Sequence, residues 1–381
     1  MSTKRQRHLT IAVFFVGLLV AMLLAFLRHQ SIHRYDDLRG MHNGLAAVMQ
    51  DGRWGFVDIN CRMVVPFKYD AVQSFSEKYA AVCLNDKWAL IDLKGRLITD
   101  FKYDKVRDMS ENRMAVKRDG AWGYIDRQGL EVTPFEYELA GDFREGRATV
   151  KKEGRWAYIN NIGMEITPFC YDAISQFHEG YASVMVNGLW GFVNRRGHQV
   201  IPCRYEQAAD FNDGFAMVKE VGARWQVIDT VGNLRWNCII DNAGEVCNGI
   251  LAFEVNRRWG FINLMQHSIT FPSYTSIGSG NEGLITIQDG LLWGAIDTAG
   301  HIVIPPIYEY VGTCHEGLSA FQSNGRWGFL NSQGRVAIPA CYDAVSSFSE
   351  GVAAVMQKGH YYFIDHQGVD LSRSLQRWQF R

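Results

Sequence analysis

The sequence has no surplus charge of one sign, no paired-cysteine motif and no recognisable catalytic constellation. Its 39 basic and 40 acidic residues leave a net charge of −1, which gives no electrostatic case for nucleic acid. None of the eight cysteines forms a C-x-x-C pair or a zinc-type spacing. Cys170 and Cys203, one residue short of a full period apart, have a facing arrangement across neighbouring repeats as the alternative, and separate small core residues are the favoured reading. Hydrolytic chemistry needs paired carboxylates, or a nucleophile with a base and an orienting partner. The eleven histidines are scattered and supply neither. His29 and His33, without further ligands, are a weak metal signal. No catalytic, cofactor-binding or metal-binding residue is expected, and no cofactor.

Long apolar runs are also absent after the first 34 residues. The exception, Leu9 to Leu27, is 19 residues without a charge. As a helix at ~1.5 Å per residue it is ~28 Å long, about the hydrocarbon thickness of a bilayer. No small-residue cleavage pair follows it, and Lys4, Arg5 and Arg7 precede it, so an uncleaved anchor with a cytoplasmic N-terminus is expected. The segments are then a basic cytoplasmic tail (1–8), a transmembrane signal anchor (9–27), a linker (28–34), a repeat domain (35–371) and a C-terminal tail or cap (372–381). Single-pass location in the inner membrane, with the repeats periplasmic, follows from that orientation.

What the sequence has is a period. An aromatic mark, mostly Trp-Gly, recurs at Trp54, Trp88, Trp122, Trp156, Trp190, Trp225, Trp259, Trp293, Trp327 and Tyr361. The step is 34 residues, with one of 35 between Trp190 and Trp225. A period of this length signals a repeat architecture. Thirty-seven glycines and 13% aromatic residues suit short strands and tight turns.

Aligning the copies predicts three strands per unit: Leu45 to Met49, the strand carrying Trp54 and Phe56, and Met63 to Val65, ended by Pro66. Four residues after each mark stands Asp or Asn, from Asp58 to Asp365, and seven after it usually glycine, such as Gly95 or Gly129. An Asx side chain opens a turn, and glycine supplies the positive φ that closes it. Cys61 and Gln266 replace that glycine, so their hairpins should be looser or differently built. The acid after each Tyr (Asp36, Asp70, Asp104 and equivalents) reads as a turn cap, since one carboxylate per unit is too few for calcium. The ten aromatic marks read as core anchors of the repeat.

These units resemble the WG (KWG) repeats found mainly in bacterial proteins. The best match is RWGFLNSQGRVAIPACYDAVSSFSEGVAAV, from Arg326 to Val355, and Leu292 to Tyr310 also fits. The resemblance implies an all-β repeat structure and interaction rather than catalysis. Gln226 after Trp225, and Tyr361-Tyr362 for Trp-Gly, are departures from the pattern.

The expected fold is all-β: about ten 34-residue, three-stranded antiparallel units after one transmembrane helix. Stacking favours an open β array or solenoid, with a closed β-propeller as the alternative. The expected function is a membrane-anchored, extracytoplasmic protein-interaction module with a protein partner in the envelope. A module for cell-wall glycan or peptide is the alternative, and an envelope enzyme comes third. Because repeated positions serve stacking, a binding surface is sought where units differ, above all from Val221 to Ser279. Trp236 and Trp378, both out of register, and Tyr274 are the candidate partner-binding residues.

Overall fold

In the computed structural model the described residues are 35–371, apart from 238–239, 248, 265–267 and 271. The segments 1–34 and 372–381 lie outside them, and so do the expected membrane span at 9–27 and Trp378. Among the described residues no helix is long and apolar enough to cross a membrane. The chain is all-β, built of small antiparallel sheets that follow the repeat.

The first unit shows the pattern with four strands rather than three. They are β1 (Asp37–His42), β2 (Leu45–Gln50), β3 (Arg53–Asp58) and β4 (Met63–Tyr69), hydrogen-bonded in that order. The stretch expected to be a polar connector is β1: Asp37 lies opposite Met49 and His42 opposite Leu45. Pro66 does not end β4. The register slips between the Trp54–Tyr69 and Phe56–Val65 pairs, and Pro66 falls in that bulge, where no N–H is required. The bulge brings backbone against Gly55, where a Cβ would stand 2.6 Å from the Val65 carbonyl oxygen. That close approach explains the glycine after the mark.

How completely the outer strand forms depends on one residue, eleven after the mark. Val65, Ile201, Ile304 and Ile338 hold that place in the units with a full outer strand. In the units of Trp88, Trp122 and Trp156 it is a buried threonine. There the side chain takes over a ladder bond: Thr99, Thr133 and Thr167 Oγ1 accept from the N–H of Leu90, Tyr124 and Tyr158. Only isolated bridges remain of the outer strand in those units. The strand Gln199–Ala208 serves two units at once and joins them into a seven-stranded sheet.

Consecutive units cover each other's apolar faces. Phe56 meets Phe75 of the next unit edge-on at 4.7 Å, and Tyr124–Phe143, Tyr158–Phe177 and Phe192–Phe211 repeat the contact at 5.0, 4.8 and 4.7 Å. Phe56, Tyr124, Tyr158, Phe177, Phe192 and Phe211 are among the largest fully buried side chains, and no tryptophan is. Trp54 and Trp122 are buried, whereas the other marks from Trp88 to Tyr361 are half-buried at the margin of the core. The turn glycine is part of the same seam. A Cβ on Gly129, Gly163 or Gly197 would stand 2.6, 2.7 or 2.7 Å from the Cγ2 of Thr99, Thr133 or Thr167 in the unit before.

The sheets stay separate and do not merge into a barrel, and sheets of three, four and seven strands are not the even blades of a closed propeller. The open array nevertheless needs one correction, because its ends are not free. Tyr35, Leu38 and Met41 of the first unit share a core cluster with Val352, Ala354 and Phe363 of the tenth. Glu350 accepts hydrogen bonds from the N–H groups of Asn43 and Gly44, both at 2.6 Å, and Ser349 Oγ donates to the Met41 carbonyl at 3.1 Å. Two apolar faces that an open array would expose to water are thereby covered.

Candidate interaction face

Each unit has two ends. At one lie the turn between its first two strands and the Asx-opened hairpin between its last two. At the other lies the turn just before the Trp mark.

The Trp end carries a ladder of capping carboxylates. The acid after each Tyr caps the turn before the mark, as the sequence predicts: Asn85 N–H donates to Asp70 at 2.8 Å, and Asn187 N–H to Asp172 at 2.6 Å. The same carboxylates pair with the cation that begins the Trp strand of the unit before, as in Arg53–Asp70, Lys87–Asp104, Arg155–Asp172 and Arg326–Asp343.

The hairpin end is built differently. Asp58 Oδ1 accepts from the N–H groups of Asn60 and Arg62 at 2.9 and 2.8 Å, and Asp92, Asp126, Asn160 and Asn194 repeat this. Cys61 adopts φ 57° and keeps these bonds, so that hairpin is not looser than the rest. In the seventh unit Asn263 donates its amide to the carbonyl of Thr298 in the next unit at 3.1 Å, and the turn at Gln266 lies outside the described residues.

A second carboxylate series runs through this end. Glu77 accepts from the N–H groups of Glu111 and Asn112 in the following unit, each at 2.6 Å. Glu111, Glu145, Glu179, Glu282 and Glu316 do the same one unit on. Glu350 carries the series back to the first unit. Sequence reading missed it, although an acid at a 34-residue spacing before Gly or Asn was the available signal. Arg62, Lys94, Arg127, Arg196 and Arg335 are exposed, with no ion pair among the described residues. Large apolar side chains stand beside them, among them Met63 (58% exposed), Leu97, Leu130 and Val336.

The face is broken at the sixth unit. Trp236 is out of register only as a tryptophan: it pairs with Val227 and so stands eleven residues after Trp225, in the place held elsewhere by valine, isoleucine or threonine. The larger ring meets Leu264 of the seventh unit across a cleft of about 560 Å³, which Phe215 and Leu234 also line. Its acids are already engaged. Asp213 accepts from Gly249 N–H at 2.6 Å, and Asp229 takes the Arg235 guanidinium at 2.8 Å. Burial works against the Asp229 carboxylate, but bonds from Asn233, Val231 and Arg235 outweigh it and hold its carboxyl below the ordinary value.

A second cleft, of about 390 Å³, adjoins this one on the fifth unit, lined by Glu179, Tyr181, Arg195, Arg196 and His198. Glu179 ties the two units together, since its two oxygens accept from the N–H groups of Asp213 and Gly214 at 2.7 and 2.8 Å. Arg195 pairs with Glu145 at 2.8 Å, which leaves Arg196 as the unpaired cation.

Tyr274 lies elsewhere. It occupies the ordinary Tyr register, bridged to Trp259 through Trp259 N–H at 2.8 Å and half-buried, and burial raises its phenol above the usual range. Cys203 packs against the cluster that holds Tyr171, the residue after Cys170. Cys61, Cys83 and Cys314 are buried, whereas Cys170 and Cys341 are exposed rather than in the core. Among the described residues, no group of three or more His, Cys, Asp or Glu is placed to hold a metal ion.

A family model described as a WG containing repeat matches residues 33–54, 54–88, 89–120, 122–156, 156–190, 190–225, 293–327 and 327–361. The unmatched stretch holds the larger cleft's Leu234, Trp236 and Leu264. No curated protein matches the chain. Among solved structures, a eukaryotic initiation factor is similar with a TM-score of 0.50 and 10% identity, over 76% of this chain and 93% of that one. BamB from Moraxella catarrhalis is similar with a TM-score of 0.38 and 12% identity, over 68% and 95%. At such identities a likeness speaks to fold alone.

Proposed function

The chain belongs to the WG-repeat family, and from that premise we propose that it is a non-enzymatic protein-interaction module. It is held at the cytoplasmic membrane by residues 9–27, with the repeats on the outer side. The observation that carries this reading is the row of exposed apolar side chains beside unpaired cations along the hairpin end, where Met63, Leu97, Leu130 and Val336 stand next to Arg62, Lys94, Arg127 and Arg335. Exposed apolar groups mark contact surfaces when they gather on one face, and unpaired charge there steers and selects a partner.

The test is site-specific photocrosslinking of the full-length chain in its native membrane. A crosslinker at Met63 or Leu97, on the hairpin end, should yield one reproducible protein adduct. The same group at Leu291, on the Trp end and 86% exposed, should yield none. Adducts to glycan strands alone would favour the cell-wall reading. Equal labelling from both ends would remove the proposal.

A further inference from the structure

The first strand begins at the Trp end. Asp36 donates its N–H to the Met49 carbonyl at 2.8 Å, and its carboxylate accepts from Gly52 N–H, in the turn before Trp54, at 3.1 Å. Residues 1–34 therefore join the domain at that end. On the eighth unit the same end carries a spot where four polar or small positions of the repeat are apolar together. Two residues before the mark, the other nine copies hold Gly, Asp, Ala or Arg, as at Gly52, Asp86 and Arg257, whereas the eighth holds Leu291, 86% exposed. Leu292 follows, where Arg53, Lys87, Arg155 and Arg326 pair with a carboxylate. Ile307, 61% exposed, takes the place of Lys68, Lys102 and Arg204, and the exposed Tyr310 that of Asp37 and Lys105. These residues are neighbours: Leu292 precedes Trp293, which pairs with Tyr308, next to Ile307, and whose ring lies 5.8 Å from that of Tyr310. The turn itself needs no leucine, since glycine serves at Gly120, Gly154 and Gly188.

Resting on the anchored reading above, we propose that this spot is a second membrane contact, through which the Trp end lies on the lipid surface that residues 9–27 enter. Leu291 and Leu292 reach the boundary between headgroups and acyl chains. Tyr310, with an apolar ring and a polar hydroxyl, sits at headgroup level, where such side chains gather. Where the chain enters the domain selects a lipid surface over a soluble partner. Eight peptide steps separate Leu27 from Tyr35 and span at most about 29 Å, which holds the Trp end beside the bilayer. A tether that short makes docking intramolecular, with an effective concentration on the order of millimolar. A few apolar side chains then suffice where an untethered domain would need many. The hairpin end, a strand length of about 20 Å away, is left facing outward with its own apolar row open to a protein.

The experiment reconstitutes the full-length chain in vesicles of phosphatidylethanolamine and phosphatidylglycerol, with an environment-sensitive fluorescent amino acid at position 291 or, on the hairpin end, at position 63. Lipids brominated along the acyl chain quench only a fluorophore that reaches them. The expected result is at least about twofold quenching with a blue shift at 291, and neither at 63. Leu292→Asp combined with Ile307→Asp should remove most of the quenching at 291. Both positions are exposed, so an unchanged thermal melt verifies that this variant folds. A chain that stays with the vesicles in alkaline carbonate but is unquenched at 291, or is quenched equally at 291 and 63, overturns this contact and leaves the anchor standing. Quenching at 291 that the double variant leaves unchanged overturns it as well. A protein adduct from a photocrosslinker at 291 in the native membrane does the same, since the spot would then take a partner protein. A chain that carbonate washes off has no anchor, which removes the anchored reading and this contact with it.

Discussion

The seams among the second to fifth units and the seam between the sixth and seventh use the same position, eleven after the mark, in opposite ways. In the regular seams it is a small threonine that lies against a glycine seven after the next mark, as Thr133 lies against Gly163. At the irregular seam it is Trp236, whose half-buried ring joins the cluster of Leu251 and Leu264 in the seventh unit. A small side chain lets the turn backbone close in, whereas a large ring fills the seam with its own surface.

The comparison can be broken most severely in the core that both kinds of seam share. Phe192→Ala, which removes a fully buried ring in contact with Phe211, should cost about 3–5 kcal/mol, read by urea denaturation. Both flanking units should lose hydrogen-exchange protection with it, because units in an array share their interfaces.

Glycine gives the next largest effect and a matched control. At Gly163, φ is +82° and an added Cβ would stand 2.7 Å from Thr133, so Gly163→Ala combines backbone strain with overpacking and should cost about 2–4 kcal/mol. At Gly188, φ is +79° with nothing within 4 Å, so Gly188→Ala should cost only the strain, about 1 kcal/mol. Equal costs would mean that the seam tolerates the methyl group and that turn geometry alone fixes the residue.

The odd seam sharpens the contrast from the other side. Trp236→Ala, which takes a half-buried ring from the cluster it shares with Leu251, Phe253 and Leu264, should cost about 1–2 kcal/mol by urea denaturation, less than the loss of Phe192.

The smallest effect is electrostatic. Bonds from the N–H groups of Gly317 and Glu316 hold the Glu282 carboxyl below its ordinary value of 4.5. A carboxylate with a depressed folded pKa contributes stability that is fully present above about pH 4.5 and is lost as pH falls through the lower folded value. Glu282→Gln should therefore flatten the acid side of the stability–pH curve and change little at pH 7. Because this carboxylate is solvent-exposed, the difference should stay below about 1 kcal/mol.

The parts legible in the sequence were those set by local rules. The period, the Asx-opened hairpins, the positive-φ glycines and the turn-capping acids all follow from what one or two neighbouring residues must do. The additional strand was not legible, because Asp37–His42 mixes polar and apolar residues without a clean alternation. The tryptophans drew attention by size, yet burial favours the ring two residues later, which faces the next unit. Trp236 stood out as a residue, but its role in the seam depends on which positions of successive units meet. That relation is tertiary. The contact between the ends was hidden for the same reason, since a repeat sequence states how one unit joins the next and not the angle at which it does so.

That contact fixes a number. An array with free ends gains or loses a unit by duplication or deletion, and the remaining seams keep their geometry. Here ten steps bring Glu350 within reach of Asn43, so removing one unit would leave a gap and adding one would leave no room. Point changes within units remain open to such a protein, while changes in copy number are closed to it unless every seam turns by a new amount.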